Sequence, residues 1–160
     1  MGALNILLVD DDRILATTLS HGLRKAMGKN ISVVFCASGP EASALLATQT
    51  FDLVISDFHM VGISGLELLK QIRQDHPKTS LVLITAYGTD ALEQEVHRLE
   101  IGYITKPFEL PSLVQLIQNL IQLKETSDKK ANISPNPIRE GNVDSGPLMT
   151  KVLIDPIVPN

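Results

Sequence analysis

At 160 residues, 44% hydrophobic but only 4% aromatic and without tryptophan, the chain is the length of one ordinary domain with an aliphatic core. Fourteen Lys and Arg against eighteen Asp and Glu give a net charge of -4, which argues against a uniformly basic nucleic-acid binder. A mean hydropathy of +0.13 excludes a disordered polyelectrolyte.

In chain order, the first apolar run covers residues 4–9 and ends in Asp10, Asp11 and Asp12. It reads as a strand, too short and too acidic at its end for a secretion signal. Ile14, Leu15, Thr18, Leu19 and Leu23 then form a stripe at helical spacing, with Gly28 placed to end the helix. A second strand is expected at 31–35. Ser38 followed by Glu41 resembles a capping box, with Pro40 in the first turn of a helix that carries Ala42, Leu45 and Leu46. The third strand, 53–55, is followed by Asp57. Leu66, Leu69, Ile72 and Arg73 suggest a third helix with its long polar side chains facing water, closed at His76-Pro77 because the residue before proline avoids helical geometry. A fourth strand at 81–84 precedes a stripe of Leu92, Val96 and Leu99. A fifth at 101–104 precedes the most regular stripe, Leu113, Leu116, Ile117, Leu120 and Ile121.

Five βα units of this kind predict a parallel sheet with helices on both faces and right-handed crossovers. Several strands read as unbroken Val/Ile/Leu, the pattern of a strand buried on both faces. Composition changes near Lys124. Residues 125–160 hold five of the nine prolines and no aromatic residue, so the expected organisation is a domain over 1–124 and a linker or flexible C-terminal tail over 125–160. Cys36 is the only cysteine, which fits a reducing, cytoplasmic compartment. Nothing approaches the length of a membrane-spanning helix.

Chemistry concentrates at strand ends. Doubly wound sheets bind ligands beyond the carboxyl ends of their strands, where strand order reverses. In the order 2-1-3-4-5, Asp10 and Asp11 would face Asp57 across that point. Crowded carboxylates repel and raise one another's pKa, and Mg²⁺ relieves this with oxygen ligands and several waters. The plainer alternative is that the acids at 10–12 cap the next helix. A fourth acid on another strand end favours the metal. Thr85 and Ala86 after the fourth strand and Lys106 after the fifth complete a pocket for a tetrahedral oxyanion, the parts that phosphoryl transfer to an aspartate needs.

Four motifs, VDDD at 9–12, ISDFHM at 55–60, ITA at 84–86 and YITKPF at 103–108, resemble the receiver domain of two-component response regulators over roughly residues 3–124. The resemblance implies a flavodoxin-like (βα)5 fold with sheet order 2-1-3-4-5. It implies that Asp57 accepts a phosphoryl group from a sensor histidine kinase or phosphotransfer protein. Asp11 would bind Mg²⁺ directly and Asp10 through water, with Asp57 and the backbone carbonyl of His59 as further ligands. Thr85 and Lys106 would contact the phosphoryl oxygens. Tyr103 stands at the family's aromatic switch position and would turn inward as Thr85 moves. The fourth helix, fifth strand and fifth helix would present the output face. The chain would be a phosphoacceptor with self-phosphorylation and dephosphorylation chemistry only.

Three departures from the family pattern stand out. Val61 replaces the usual proline after Met60, the segment from Thr85 to Lys106 is one residue short, and His59 brings an imidazole to the pocket mouth. That imidazole would tune phosphoryl lifetime or simply be solvated. Tyr87 would flank the same mouth or stand as a surface aromatic. The tail is not basic and carries no stacking aromatics, so no direct nucleic-acid binding is expected of this chain. SGPLMTKVL at 145–153 resembles the opening of the AAA+ domain of enhancer-binding activators, or is a chance match over nine residues. The readings carried forward are a relay receiver with an unidentified output partner, the receiver of a truncated activator, and a Mg²⁺-dependent aspartyl-phosphate phosphatase. The phosphatase is disfavoured because His59 stands where those enzymes carry a second acid. A flavin module is disfavoured by the three aspartates after the first strand. Whether phosphorylation creates a homodimer stays open.

Overall fold

The computed structural model describes residues 2–131. Ten elements alternate along them: β1 (Leu4–Val9), α1 (Arg13–Met27), β2 (Ile31–Cys36), α2 (Gly39–Thr48), β3 (Leu53–Asp57), α3 (Gly65–Asp75), β4 (Ser80–Thr85), α4 (Asp90–Arg98), β5 (Gly102–Thr105) and α5 (Leu110–Ala131). All four pairings are parallel, and the sheet order is β2-β1-β3-β4-β5, as expected.

Alternate strand residues feed two cores. Leu7, Val9, Val54, Leu81 and Leu83 meet Ala42, Leu46, Leu68, Leu69, Ile72 and Val96 from α2, α3 and α4. Ile6, Leu8, Leu53, Ile55, Val82 and Ile84 meet Ala16, Leu19, Leu23, Leu113 and Ile117 from α1 and α5. Both faces are covered, which is why the strands read as continuous apolar runs. Each fully buried Leu or Ile contributes about 1.5–3 kcal/mol. The central strand β3 is buried at all five positions.

Caps set the helix starts. Asp12 Oδ1 accepts from the Ile14 and Leu15 amides at 3.0 and 3.1 Å. Ser38 Oγ accepts from the Glu41 amide at 3.3 Å while Glu41 Oε2 accepts from the Ala37 amide at 3.0 Å, a reciprocal box shifted by one residue. The Ser64 and Thr89 hydroxyls cap α3 and α4 by accepting from the Glu67 and Leu92 amides, which the sequence reading did not single out. Gly28, at φ +83°, ends α1 with its amide on Arg24 O.

Three expectations need correction. On α1 the buried face is Ala16, Leu19, Ser20 and Leu23; Ile14 is 81% exposed and Thr18 turns its hydroxyl back to Ile14 O. Arg73 is only partly open to water: its guanidinium donates to Pro77 O, Thr79 O and Glu100 O at 3.0–3.2 Å, bracing α3 against the turn before β5. The composition shift at Lys124 does not end α5, which runs on to Ala131. The rest of the expected tail, including 145–153, lies outside the described residues. Among the described residues no helix is long and apolar enough to cross a membrane.

Candidate functional site

Parallel strands bring their carboxyl ends to one edge of the sheet. β1 and β3 are neighbours there while their chain connections leave in opposite directions, so the edge opens between them. Asp10 follows β1 and is buried; Asp11 beside it is exposed. Asp57 ends β3 and is 6% exposed. Thr85 ends β4 and Lys106 follows β5.

Lys106 Nζ reaches Asp57 Oδ1 at 2.7 Å, and the His59 amide donates to Asp57 Oδ2 at 3.0 Å. The Asp57 carboxylate is therefore held at both oxygens. Backbone bonds lock its setting: Phe58 N to Ile84 O at 2.7 Å, Gly65 N to Phe58 O at 2.9 Å, and Lys106 N to Thr85 O at 2.7 Å. Gly65 is required by space. A Cβ there would run into the Asp57 backbone carbonyl, against which the start of α3 is pressed. Nothing in the helical stripe of α3 announces this contact, and the sequence reading missed it.

Burial pushes the Asp10 carboxyl above its usual pKa of 3.8. The Asp12 amide on Oδ1 at 2.8 Å opposes the shift; Asp57 and Asp11 add to it and Lys106 counters it. An acid raised chiefly by burial, with two further carboxylates beside it, is a donor set short of positive charge, which suits a hard divalent cation. Among the described residues no three Asp, Glu, His or Cys side chains converge into a ready cage. Mg²⁺ needs none, because it binds through one or two carboxylates with water, carbonyl and phosphate oxygens.

Not every expected member faces the acceptor. The Thr85 hydroxyl accepts from Tyr87 N at 3.2 Å and donates to Tyr87 O at 3.1 Å, so it is bound to its own loop and not to Asp57. Tyr103 pairs with Leu83 across β4 and β5 and faces inward, its hydroxyl covered. The exposed His59 ring lies edge-on between Phe58 (5.0 Å) and Tyr87 (6.0 Å) at the mouth of the site. Val61 is 86% exposed, and Gly62 takes φ +92° in the loop without the usual proline. Within the shortened segment, the turn between α4 and β5 carries Glu100 at φ +55°.

A buried aspartate at the switch point of a doubly wound sheet, ion-paired to a lysine that follows the fifth strand, is a receiver-type arrangement. The model of the response regulator receiver domain matches residues 6–118. The chain thus belongs to the response regulator receiver family of two-component signalling. It is 31% identical over 146 residues to the DNA-binding transcriptional regulator NtrC of Salmonella typhimurium, covering 91% of this chain and 30% of that regulator. It is 38% identical over 118 residues to the response regulator protein FleR of Pseudomonas aeruginosa, covering 72% of this chain and 24% of that protein. The chain thus spans less than a third of the length of these relatives. The chemotaxis response regulator CheY4 of Vibrio cholerae superposes with a TM-score of 0.66 at 28% identity, over 74% of this chain and 99% of its own. The signal receiver domain of an HD domain-containing protein from Pseudomonas fluorescens gives 0.70 at 26% identity, over 78% and 98%.

Proposed function

We propose that Asp57 accepts a phosphoryl group from a phosphohistidine on a sensor kinase or phosphotransfer protein, and that the acyl phosphate switches the chain's affinity for an output partner. The observation that carries this is the 2.7 Å Lys106–Asp57 pair, set between the buried Asp10 and Thr85. An Asp57 carboxylate oxygen attacks phosphorus, the phosphorus–nitrogen bond breaks, and the imidazole leaves with that electron pair. Lys106 is placed to stay with the added charge, about -1.5 to -2. Asp10, Asp11, Asp57 and the His59 carbonyl would hold Mg²⁺, which would supply charge neutralisation to the phosphoryl oxygens. Thr85 gains a reason to leave Tyr87, because a phosphoryl oxygen is a stronger acceptor than a peptide carbonyl.

The partner must approach across the pocket rim. Ile14, Val61 and Tyr87 stand there exposed, an apolar surface that a docking helical protein can cover. A second reading, that the chain is the receiver of an enhancer-binding activator, is favoured by the length of its matches. They run to 146 residues against NtrC and 156 against the transcriptional regulatory protein ZraR of Salmonella typhimurium, beyond the 6–118 of the receiver itself. The phosphatase reading gains nothing: His59 is exposed and turns its ring to Tyr87.

Incubation with acetyl phosphate in Mg²⁺ should add one phosphoryl group by intact mass. The adduct should be absent in EDTA and in Asp57→Asn. No adduct under any condition would overturn the proposal.

A further inference from the structure

Tyr103 sits inward with its hydroxyl covered and, among the described residues, without a hydrogen-bond partner. Burial pushes the phenol above its ordinary pKa, and the Glu93 carboxylate adds to the shift. The roof over this hydroxyl is Gly88. A Cβ at Gly88 would lie 2.7 Å from Tyr103 Oη, 3.8 Å from Cζ and 3.2 Å from Thr105 Cγ2. The first distance is well inside the normal carbon–oxygen contact of about 3.5 Å. Thr105 crowds the same Cβ from a second side, so the Tyr103 side chain or the loop at 88 would have to give way. Gly88 is not among the positive-φ glycines, which are Gly28 and Gly62. Its backbone could belong to any residue. What singles out glycine at 88 is therefore the space taken by Tyr103.

The same roof is tied to the pocket. Both hydrogen bonds of the Thr85 hydroxyl go to Tyr87, the residue before Gly88. We propose that Gly88 is a positioning residue: its bare backbone is the lid of the Tyr103 seat, and Thr85 sets the height of that lid through Tyr87. This rests on the reading of Thr85 and Tyr103 as a switch. A hydroxyl drawn from Tyr87 to a phosphoryl oxygen frees the 86–89 loop, and the seat of Tyr103 changes with it. In this seat the covered phenol forgoes a hydrogen bond that an outward position in water would supply. A small change in the roof can then move the population.

The chain has two tyrosines and no tryptophan, so Tyr87→Phe leaves Tyr103 as its sole tyrosine emitter. In that background, acrylamide quenching reads the exposure of Tyr103 directly. Gly88→Ala should raise the quenching constant severalfold. An unchanged constant overturns the proposal. Rescue supplies the second arm. Gly88→Ala should lower the urea midpoint with Tyr103 present and leave it unchanged beside Tyr103→Phe, which removes the clashing oxygen. Equal losses in both backgrounds would mean that alanine merely disturbs the loop, and would also overturn it. Asp57 labelling by acetyl phosphate is followed in parallel. If no variant takes the phosphoryl group, the acceptor reading fails while the quenching comparison still decides the role of Gly88.

Discussion

Asp57 is buried, and each of its carboxylate oxygens has a partner that a phosphoryl group could inherit under the proposed function. Lys106 can stay with the charge, and the His59 amide is backbone and cannot wander. Asp10 has no such cation of its own and is raised mainly by burial. For an acid raised in the folded state, stability falls as pH climbs above the unfolded value near 3.8. Asp10→Asn should therefore raise the urea midpoint at neutral pH in EDTA and weaken Mg²⁺ binding by isothermal titration; a lower midpoint would contradict the burial argument. Gly65→Ala should cost about 1–3 kcal/mol by urea unfolding, since α3 must back away from Asp57. It should also slow acetyl phosphate labelling. Asp57, Asp10, Thr85 and Lys106 were legible as residues at strand ends. Gly65 and Gly88 were not, because a missing Cβ matters only against atoms that are distant in sequence.

Helices in this fold meet the sheet by stripes, and stripe position is where periodicity alone slips. On α1, Ile14 and Leu15 satisfy a helical spacing equally well; only the sheet beneath decides that Ala16, Leu19 and Leu23 are the inner face. Arg73 shares the α3 stripe by spacing, but only the fold shows that its guanidinium ties the turns before β4 and β5 through three carbonyls. Between α3 and α4, Lys70 and Arg98 both reach Glu95, at 2.7 and 2.9 Å. Hydrogen bonds from Arg98 and then Lys70 hold the Glu95 carboxyl down from 4.5 to about 2. A lowered acid stabilises the fold above its unfolded pKa and loses that support as pH falls toward the folded one. Glu95→Gln should thus lower the melting temperature at neutral pH, with the difference from wild type shrinking between pH 4.5 and about 2. Added salt should shrink it too, because the pair is exposed. A difference independent of pH would show that Glu95 acts by packing.

Across the whole molecule, polarity is arranged by pole. Every strand points its carboxyl end at the same edge, so the acids, the lysine and the exposed apolar residues Ile14, Val61 and Tyr87 share one rim. Under the proposed transfer, a small phosphodonor would need only the pocket, whereas a protein donor would also cover the rim. Ile14→Asp with Val61→Asp should reduce transfer from a histidine-phosphorylated partner roughly tenfold or more, a loss of about 1.4 kcal/mol in transition-state binding. Labelling by acetyl phosphate should stay within roughly two-fold of wild type, because no contact inside the pocket changes. Equal loss with both donors would place the damage in the pocket.

The sequence by itself determined the βα alternation, the burial of both sheet faces and the placement of acids and a lysine at strand ends, because all three are written in local spacing and residue type. Five apolar runs, caps at Ser38 and Gly28, and four motifs at strand ends were enough for the family to be recognised. Only the tertiary structure decided what depends on atoms far apart in the chain. It turned the Thr85 hydroxyl to Tyr87, seated Tyr103 under Gly88, pressed α3 onto Asp57 at Gly65 and carried α5 past Lys124 to Ala131. Spacing along a chain encodes which face a residue favours; it does not encode the fraction of an ångström by which two faces approach.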